Sequence, residues 1–203
     1  MNIVGVSFSY SNQSMGDRGL SLMHHYLNFS DIVYMNLPIC NSNNPNGDVP
    51  LEVEVFNSRI SKADILVFSI PEATGHYSAA FKNAMDWLVV KSNFNADLGQ
   101  RYSISNKPTY VITFTPVHKE AGSRHFDMTH HLLQEKMGVD VRGMFVKNRG
   151  WENIVPENYE FVYDECVQIL NTKIEPTPES KTDMTAEVPI WNQQYNEWNL
   201  KWK

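Results

Sequence analysis

Cysteine is scarce in this 203-residue chain, with only Cys40 and Cys166, far apart and outside any CxxC pair. That spacing gives neither a disulfide framework nor a structural zinc site, and it suits a reducing, cytoplasmic compartment. Positive charge is also short: 17 Lys and Arg face 23 Asp and Glu, for a net charge of −6. Nucleic acids and anionic membranes select basic patches, so neither is an expected partner. No apolar run approaches the ~20 residues that span a bilayer, and residues 1–8 lack the basic start of a secretory signal. Missing too are G-x-G-x-x-G, the G-x-x-x-x-G-K-[ST] loop and the G-x-S-x-G elbow. Their absence argues against a Rossmann dinucleotide site, an NTPase and a serine hydrolase.

What the chain does have is a strand, a turn and a helix in one unit over residues 64–88. Ile65 to Ile70 is a nearly unbroken, branched apolar run, as in a strand covered on both faces. Pro71 stops it, and Gly75 lets the backbone approach a flat ligand. Ser78 can then cap a helix whose Phe81, Ala84, Met85 and Leu88 recur at helical spacing, with Lys82, Asn83 and Asp86 on its other side. The rest of the chain keeps a βαβ rhythm. Strands are expected over 3–8, 32–37, 110–114 and 140–146. Helices are expected over 17–28, around Val53, Phe56 and Ile60, over 123–137 up to Gly138, and over 157–172, with a polar stretch at 41–50. Right-handed crossovers reduce such parallel strands to few topologies, of which the order 2-1-3-4-5 is expected. In that order the turns after strands one and three flank one crevice, and the turn after strand four borders it.

A domain over residues 1–173 is expected, followed over 174–203 by an extended Pro-, Thr- and Glu-rich linker and an aromatic arm. Trp191, Tyr195, Trp198 and Trp202 are separated by four, three and four residues, so a helix would align them in one stripe. Such a stripe packs either on its own domain or on a second subunit.

Hydroxyls crowd the first crevice turn, residues 9–16, which ends where a helix begins. Ser and backbone N–H groups at a helix start form an anion site without Lys or Arg, and a phosphate monoester fits it. Seven histidines raise the question of a metal, but the adjacent pairs His24-His25 and His130-His131 diverge on a helix, so no metal site is expected. His76 and His118 lie on crevice turns, where each is either a proton donor near neutral pH or a plain surface histidine.

Pro71-Glu72, Gly75 and Lys82-Asn83-Ala84-Met85-Asp86-Trp87 resemble the PEYN…(L/F)KNAIDW signature of the NADPH-dependent FMN reductase family, over roughly residues 1–150. The resemblance implies an α/β, flavodoxin-like three-layer sandwich with FMN as cofactor and NAD(P)H as co-substrate. Electrons would pass to a small acceptor such as a quinone, an azo compound or free flavin. By the same resemblance, Ser9, Ser11, Ser14, Met15 and Gly16 hold the FMN phosphate. Pro71, Glu72, Ala73, Thr74, Gly75 and His76 line the isoalloxazine. Thr115, Pro116 and Val117 approach its pyrimidine edge, where backbone amides favour the charge of reduced flavin. No side chain is assigned a catalytic role, because the cofactor performs the redox step and Glu72 is mostly structural in the family.

Several positions depart from the family pattern. Ala73 and Thr74 stand where Tyr and Asn are usual, and Ser11 and Gly16 stand at the Arg and Asn positions of the phosphate loop. Family members are commonly dimers or tetramers, which implies a homodimer or homotetramer whose arm could cover a neighbouring crevice. Two other functions fit the same residues: a flavodoxin-style electron carrier, and a non-catalytic interaction protein that has lost FMN.

Overall fold

The computed structural model describes residues 1–41, 49–94, 102–118 and 122–174. The linker and aromatic arm expected beyond Ile174 lie outside the described residues, as does most of the polar stretch at 41–50. Strand β1 (Ile3–Ser7) leads through the serine-rich turn into helix α1 (Met15–Leu27), followed by β2 (Asp31–Tyr34) and α2 (Leu51–Ser61). Next, β3 (Ile65–Ser69) runs into a small antiparallel hairpin, β4 (Glu72–Ala73) and β5 (His76–Tyr77), and then α3 (Ala79–Phe94). Strand β6 (Pro108–Phe114) precedes α4 (Phe126–His130), which widens into a π-helical stretch over His131–Lys136. Edge strand β7 (Asp140–Lys147), α5 (Gly150–Asn153), a 3-10 turn at Tyr159–Val162 and α6 (Tyr163–Leu170) complete the described chain.

The main sheet has the order β2-β1-β3-β6-β7, and each neighbouring pair is parallel. With the hairpin set aside, this is the expected 2-1-3-4-5 arrangement. Alternation along the central strands supplies two cores. Val4, Val6, Leu66, Phe68 and Ile70 face α2 and α3 through Phe56, Phe81, Met85 and Leu88. Ile3, Ile65 and Val67 face α1 and α6 through Leu20, Met23, Cys166 and Ile169. Burial on both faces is why these strands read as continuous apolar runs rather than as alternating ones.

Two expected helices are shorter than their patterns. The helix sought over 123–137 begins at Phe126, since Ser123 and Arg124 are engaged by Glu72 across the crevice. The helix sought over 157–172 starts later because Glu157 has φ 70, outside helical space, and a 3-10 turn intervenes before α6.

Candidate functional site

Three turns meet at the carboxyl edge of the sheet, and short polar contacts lock the first two together. The Phe8 N–H donates to the Ser69 carbonyl at 2.9 Å, so the chain leaving β1 stays paired with the end of β3. Ser78 caps α3 by accepting the Phe81 N–H at 3.2 Å, and its own hydroxyl donates to the Phe8 carbonyl at 2.7 Å. Beneath them Phe8 packs edge-on against Phe68 and Phe81, with ring centroids 5.0 and 5.1 Å apart. At the start of α1 a Cβ on Gly16 would lie 2.5 Å from Ser69 Oγ, so any larger residue would have to displace that hydroxyl. Glycine thus lets the helix amino terminus settle onto the end of β3.

Ser14 caps α1 in a capping box: its hydroxyl accepts the Asp17 N–H at 3.1 Å, while Asp17 Oδ2 accepts the Ser14 N–H at 3.0 Å. Asp17 Oδ1 accepts the hydroxyl of buried Ser7 at 2.5 Å, so this carboxylate is committed inward. The Met15 and Gly16 amides belong to the first helical turn and have no intrahelical acceptor. Ser9 and Ser14 each use the hydroxyl oxygen to accept a backbone N–H, from Ser11 and Asp17, which leaves their protons to donate. That donor set, at a helix amino terminus, suits a small oxyanion.

The second turn is a hairpin rather than a simple bend. Thr74 (φ 51) and Gly75 (φ 80) form a two-residue tip with both φ values positive, the type I′ geometry that matches strand twist. Glycine is at ease there; β-branched threonine is not. Thr74→Asn is therefore expected to raise stability by about 1 kcal/mol, seen as a higher urea midpoint with an unchanged slope. An equal or lower midpoint would show that Thr74 is unstrained. His76 packs edge-on against Tyr77, with centroids 4.2 Å apart, and is exposed, as is His118.

The third turn is joined to the first from the far edge. The Thr115 carbonyl accepts the Gly150 N–H at 2.7 Å, and a Cβ on Gly150 would lie 3.0 Å from Met15 Sδ. Its amides are less available than the sequence suggests. The Thr115 N–H already donates to the Lys147 carbonyl at 3.0 Å, and Pro116 has none to give. Val117 keeps an N–H held only loosely, 3.4 Å from Thr115 Oγ1.

Glu72 bridges the second and third turns. Its Oε2 accepts the Ser123 hydroxyl at 2.5 Å and the Arg124 N–H at 3.3 Å. Behind them, wholly buried His125 lies between Thr113 Oγ1 at 2.8 Å and Thr129 Oγ1 at 2.9 Å. Because the Thr113 proton goes to the Ile70 carbonyl, its oxygen must accept from His125 Nε2–H. This chain of bonds fixes the residue just before Pro71.

The cysteines and the histidine pair on α1 are placed for packing. Burial, with the nearby Asp86 carboxylate, raises the Cys40 pKa, and burial with Glu165 pushes Cys166 up to about 12, so both stay protonated. His24 stacks on Phe29 and His25 on Tyr159, which sends the adjacent pair to different neighbours. Among the described residues no three His, Cys, Asp or Glu side chains gather as a metal site, and no helix is long and apolar enough to cross a membrane.

The sequence profile of the NADPH-dependent FMN reductase family matches residues 1–152, which include all three turns. The chain belongs to the NADPH-dependent FMN reductase family. An NADPH:quinone oxidoreductase of Arabidopsis thaliana is 40% identical over 62 residues, 30% of this chain and 32% of that relative. The match thus spans about a third of that relative's length. Among solved structures, the flavoenzyme NAD(P)H:(acceptor) oxidoreductase FerB from Paracoccus denitrificans has 20% identity and a TM-score of 0.52, over 78% of both chains. The NADH:FMN oxidoreductase EMOB has 16% identity and a TM-score of 0.54, over 86% of this chain and 91% of that one. An FMN-dependent NADH-azoreductase from Bacillus anthracis, in complex with FMN, has 9% identity and a TM-score of 0.51, over 83% and 98%. At such identities the likeness is one of fold.

Residues that sequence reasoning missed are Ser7, Ser69, His125 and Gly150. Ser69 carried a weak signal, as a polar residue ending an apolar strand beside the switch point; the others had none.

Proposed function

We propose that this chain is a flavin-dependent oxidoreductase that binds FMN across the carboxyl edge of the sheet and uses NAD(P)H to reduce a small acceptor. When bound, FMN supplies hydride acceptance and onward electron transfer; the protein positions it and tunes its charge. The observation that carries this reading is the convergence of the three turns at the switch point, in a chain whose family profile spans all of them.

At one end, the Ser9, Ser11 and Ser14 hydroxyls and the Met15 and Gly16 amides hold the phosphate. The residues from Pro71 to His76 form the wall beside the isoalloxazine, stiffened by the hairpin and by Glu72. Thr115, Pro116 and Val117 close the pyrimidine side, with the Val117 N–H as the donor toward developing negative charge. Ala73 stands where the family pattern has the much larger, planar Tyr, which leaves room at this wall for a flat acceptor such as a quinone, an azo compound or free flavin. The reading extends to a cytoplasmic homodimer or homotetramer.

Anaerobic addition of NADPH to the FMN-loaded protein tests this directly. Absorbance near 450 nm is expected to bleach within the mixing time and to return when a quinone is added. Stable yellow colour with no bleaching would make the protein an electron carrier, and no FMN binding at all would make it an interaction protein.

A further inference from the structure

We propose that Asn83 is a positioning residue for the phosphate-binding turn, acting through Tyr10; this rests on the FMN reading above. The helical pattern alone puts Asn83 on the outer side of α3, facing water. Instead it is half-buried and every polar atom of its amide is used. Oδ1 accepts the Cys40 N–H at 2.7 Å, and Nδ2 donates to the Pro38 carbonyl at 2.9 Å and to the Tyr10 hydroxyl at 2.8 Å. Trp87, one turn on, donates from Nε1 to the same Pro38 carbonyl at 2.8 Å. The two signature residues therefore fasten the segment leaving β2 to α3, and Asn83 alone reaches on to the turn that follows β1.

That last contact matters because of what else holds the turn. Its ends are pinned, at Phe8 by Ser69 and Ser78, and at Ser14 by the capping box. Between them, among residues 9–13, Tyr10 is the side chain with hydrogen bonds to another element, to Asn83 and more distantly to the Leu37 carbonyl at 3.4 Å. The Ser11 N–H donates to Ser9 Oγ, so the two serines form one small unit around Tyr10. Gln13, with φ 55, reverses the chain just beyond it. Fastening Tyr10 thus fixes the direction of the Ser9 and Ser11 hydroxyls, and donors ordered in advance bind an anion without paying to be ordered on contact. Asn83 does this from a different helix, with no contact to the ligand of its own.

The distinguishing measurement compares FMN with riboflavin, which has the same ring system and no phosphate. Both are titrated by fluorescence into the full-length protein stripped of flavin. Asn83→Ala is expected to weaken FMN about tenfold, the worth of one well-placed hydrogen bond, and to leave riboflavin within about twofold. Tyr10→Phe keeps the ring and its packing, loses only the hydroxyl, and is expected to give the same pattern, which covers the case in which Asn83→Ala fails to fold. Equal weakening of both flavins in Tyr10→Phe, or an unchanged preference for FMN, would overturn the proposal while leaving the FMN reading intact. Failure of the parent protein to bind either flavin would overturn both.

Discussion

Gly19→Ala is expected to lower stability by about 2 kcal/mol, although alanine is the better helix former. Gly19 lies inside α1, and a Cβ there would come within 2.2, 2.3 and 2.6 Å of three atoms of the Phe114 ring. Phe114 ends β6, is 5% exposed and belongs to the core that α1 covers, so its ring has little room to withdraw. Overpacking of this kind costs about 3 kcal/mol at the upper end of its usual range, and the better propensity of alanine returns about 1 kcal/mol. For a chain of this size the net loss lowers the thermal midpoint by about 4–8 °C. Phe114→Leu in the same protein removes the colliding ring tip. The double variant is therefore expected to be at least 1 kcal/mol more stable than the two separate losses would sum to. An alanine variant as stable as the parent would mean that α1 can lift off the sheet at no cost. Because the Met15 and Gly16 amides ride on the same helix, the collision is also expected to weaken FMN binding.

Glu72→Ala and Glu72→Gln are expected to differ sharply, and the difference decides what the carboxylate does. As a bridge, Glu72 holds the Ser123 hydroxyl and the Arg124 N–H from the other side of the crevice, 51 and 52 residues away in sequence. Alanine leaves the Ser123 hydroxyl, 7% exposed, without this acceptor and lets the second and third turns part. Hydrogen bonds to a charged group contribute about 1.5–3 kcal/mol, so Glu72→Ala is expected to weaken FMN by at least about tenfold. Glutamine keeps a carbonyl oxygen in the same place and is expected to retain FMN affinity and turnover within about threefold. Were Glu72 instead the proton-transferring group, Glu72→Gln would abolish turnover with FMN still tightly held.

Much of this architecture is legible in the amino-acid sequence. Residues 65–70 announced a strand buried on both faces, Ser78 announced a helix cap, and the positions of Phe81, Ala84, Met85 and Leu88 announced which side of α3 meets the sheet. All of these depend on local patterning, and each is found in the structure. The last helix shows where patterning stops: Tyr159, Val162, Cys166 and Ile169 recur at helical spacing, yet Tyr159–Val162 is a 3-10 turn and Val162, at φ −120 and ψ 9, separates it from α6.

The polar architecture of the crevice was harder to read. Asn83 sits where helical periodicity puts a solvated residue, and its partners Cys40, Pro38 and Tyr10 are 43, 45 and 73 residues away. Thr115 and Pro116 lie on the turn expected to offer amides, but β7 takes the one N–H between them. By itself, the sequence determined the layers and narrowed the strand order to a few arrangements, because apolar spacing is a local property and right-handed crossovers leave few ways to connect it. Only the tertiary structure decided which polar groups are free to meet a ligand and which already hold the fold together. A hydrogen bond depends on direction and on a partner within about 3 Å, and those are set by the packing of distant elements.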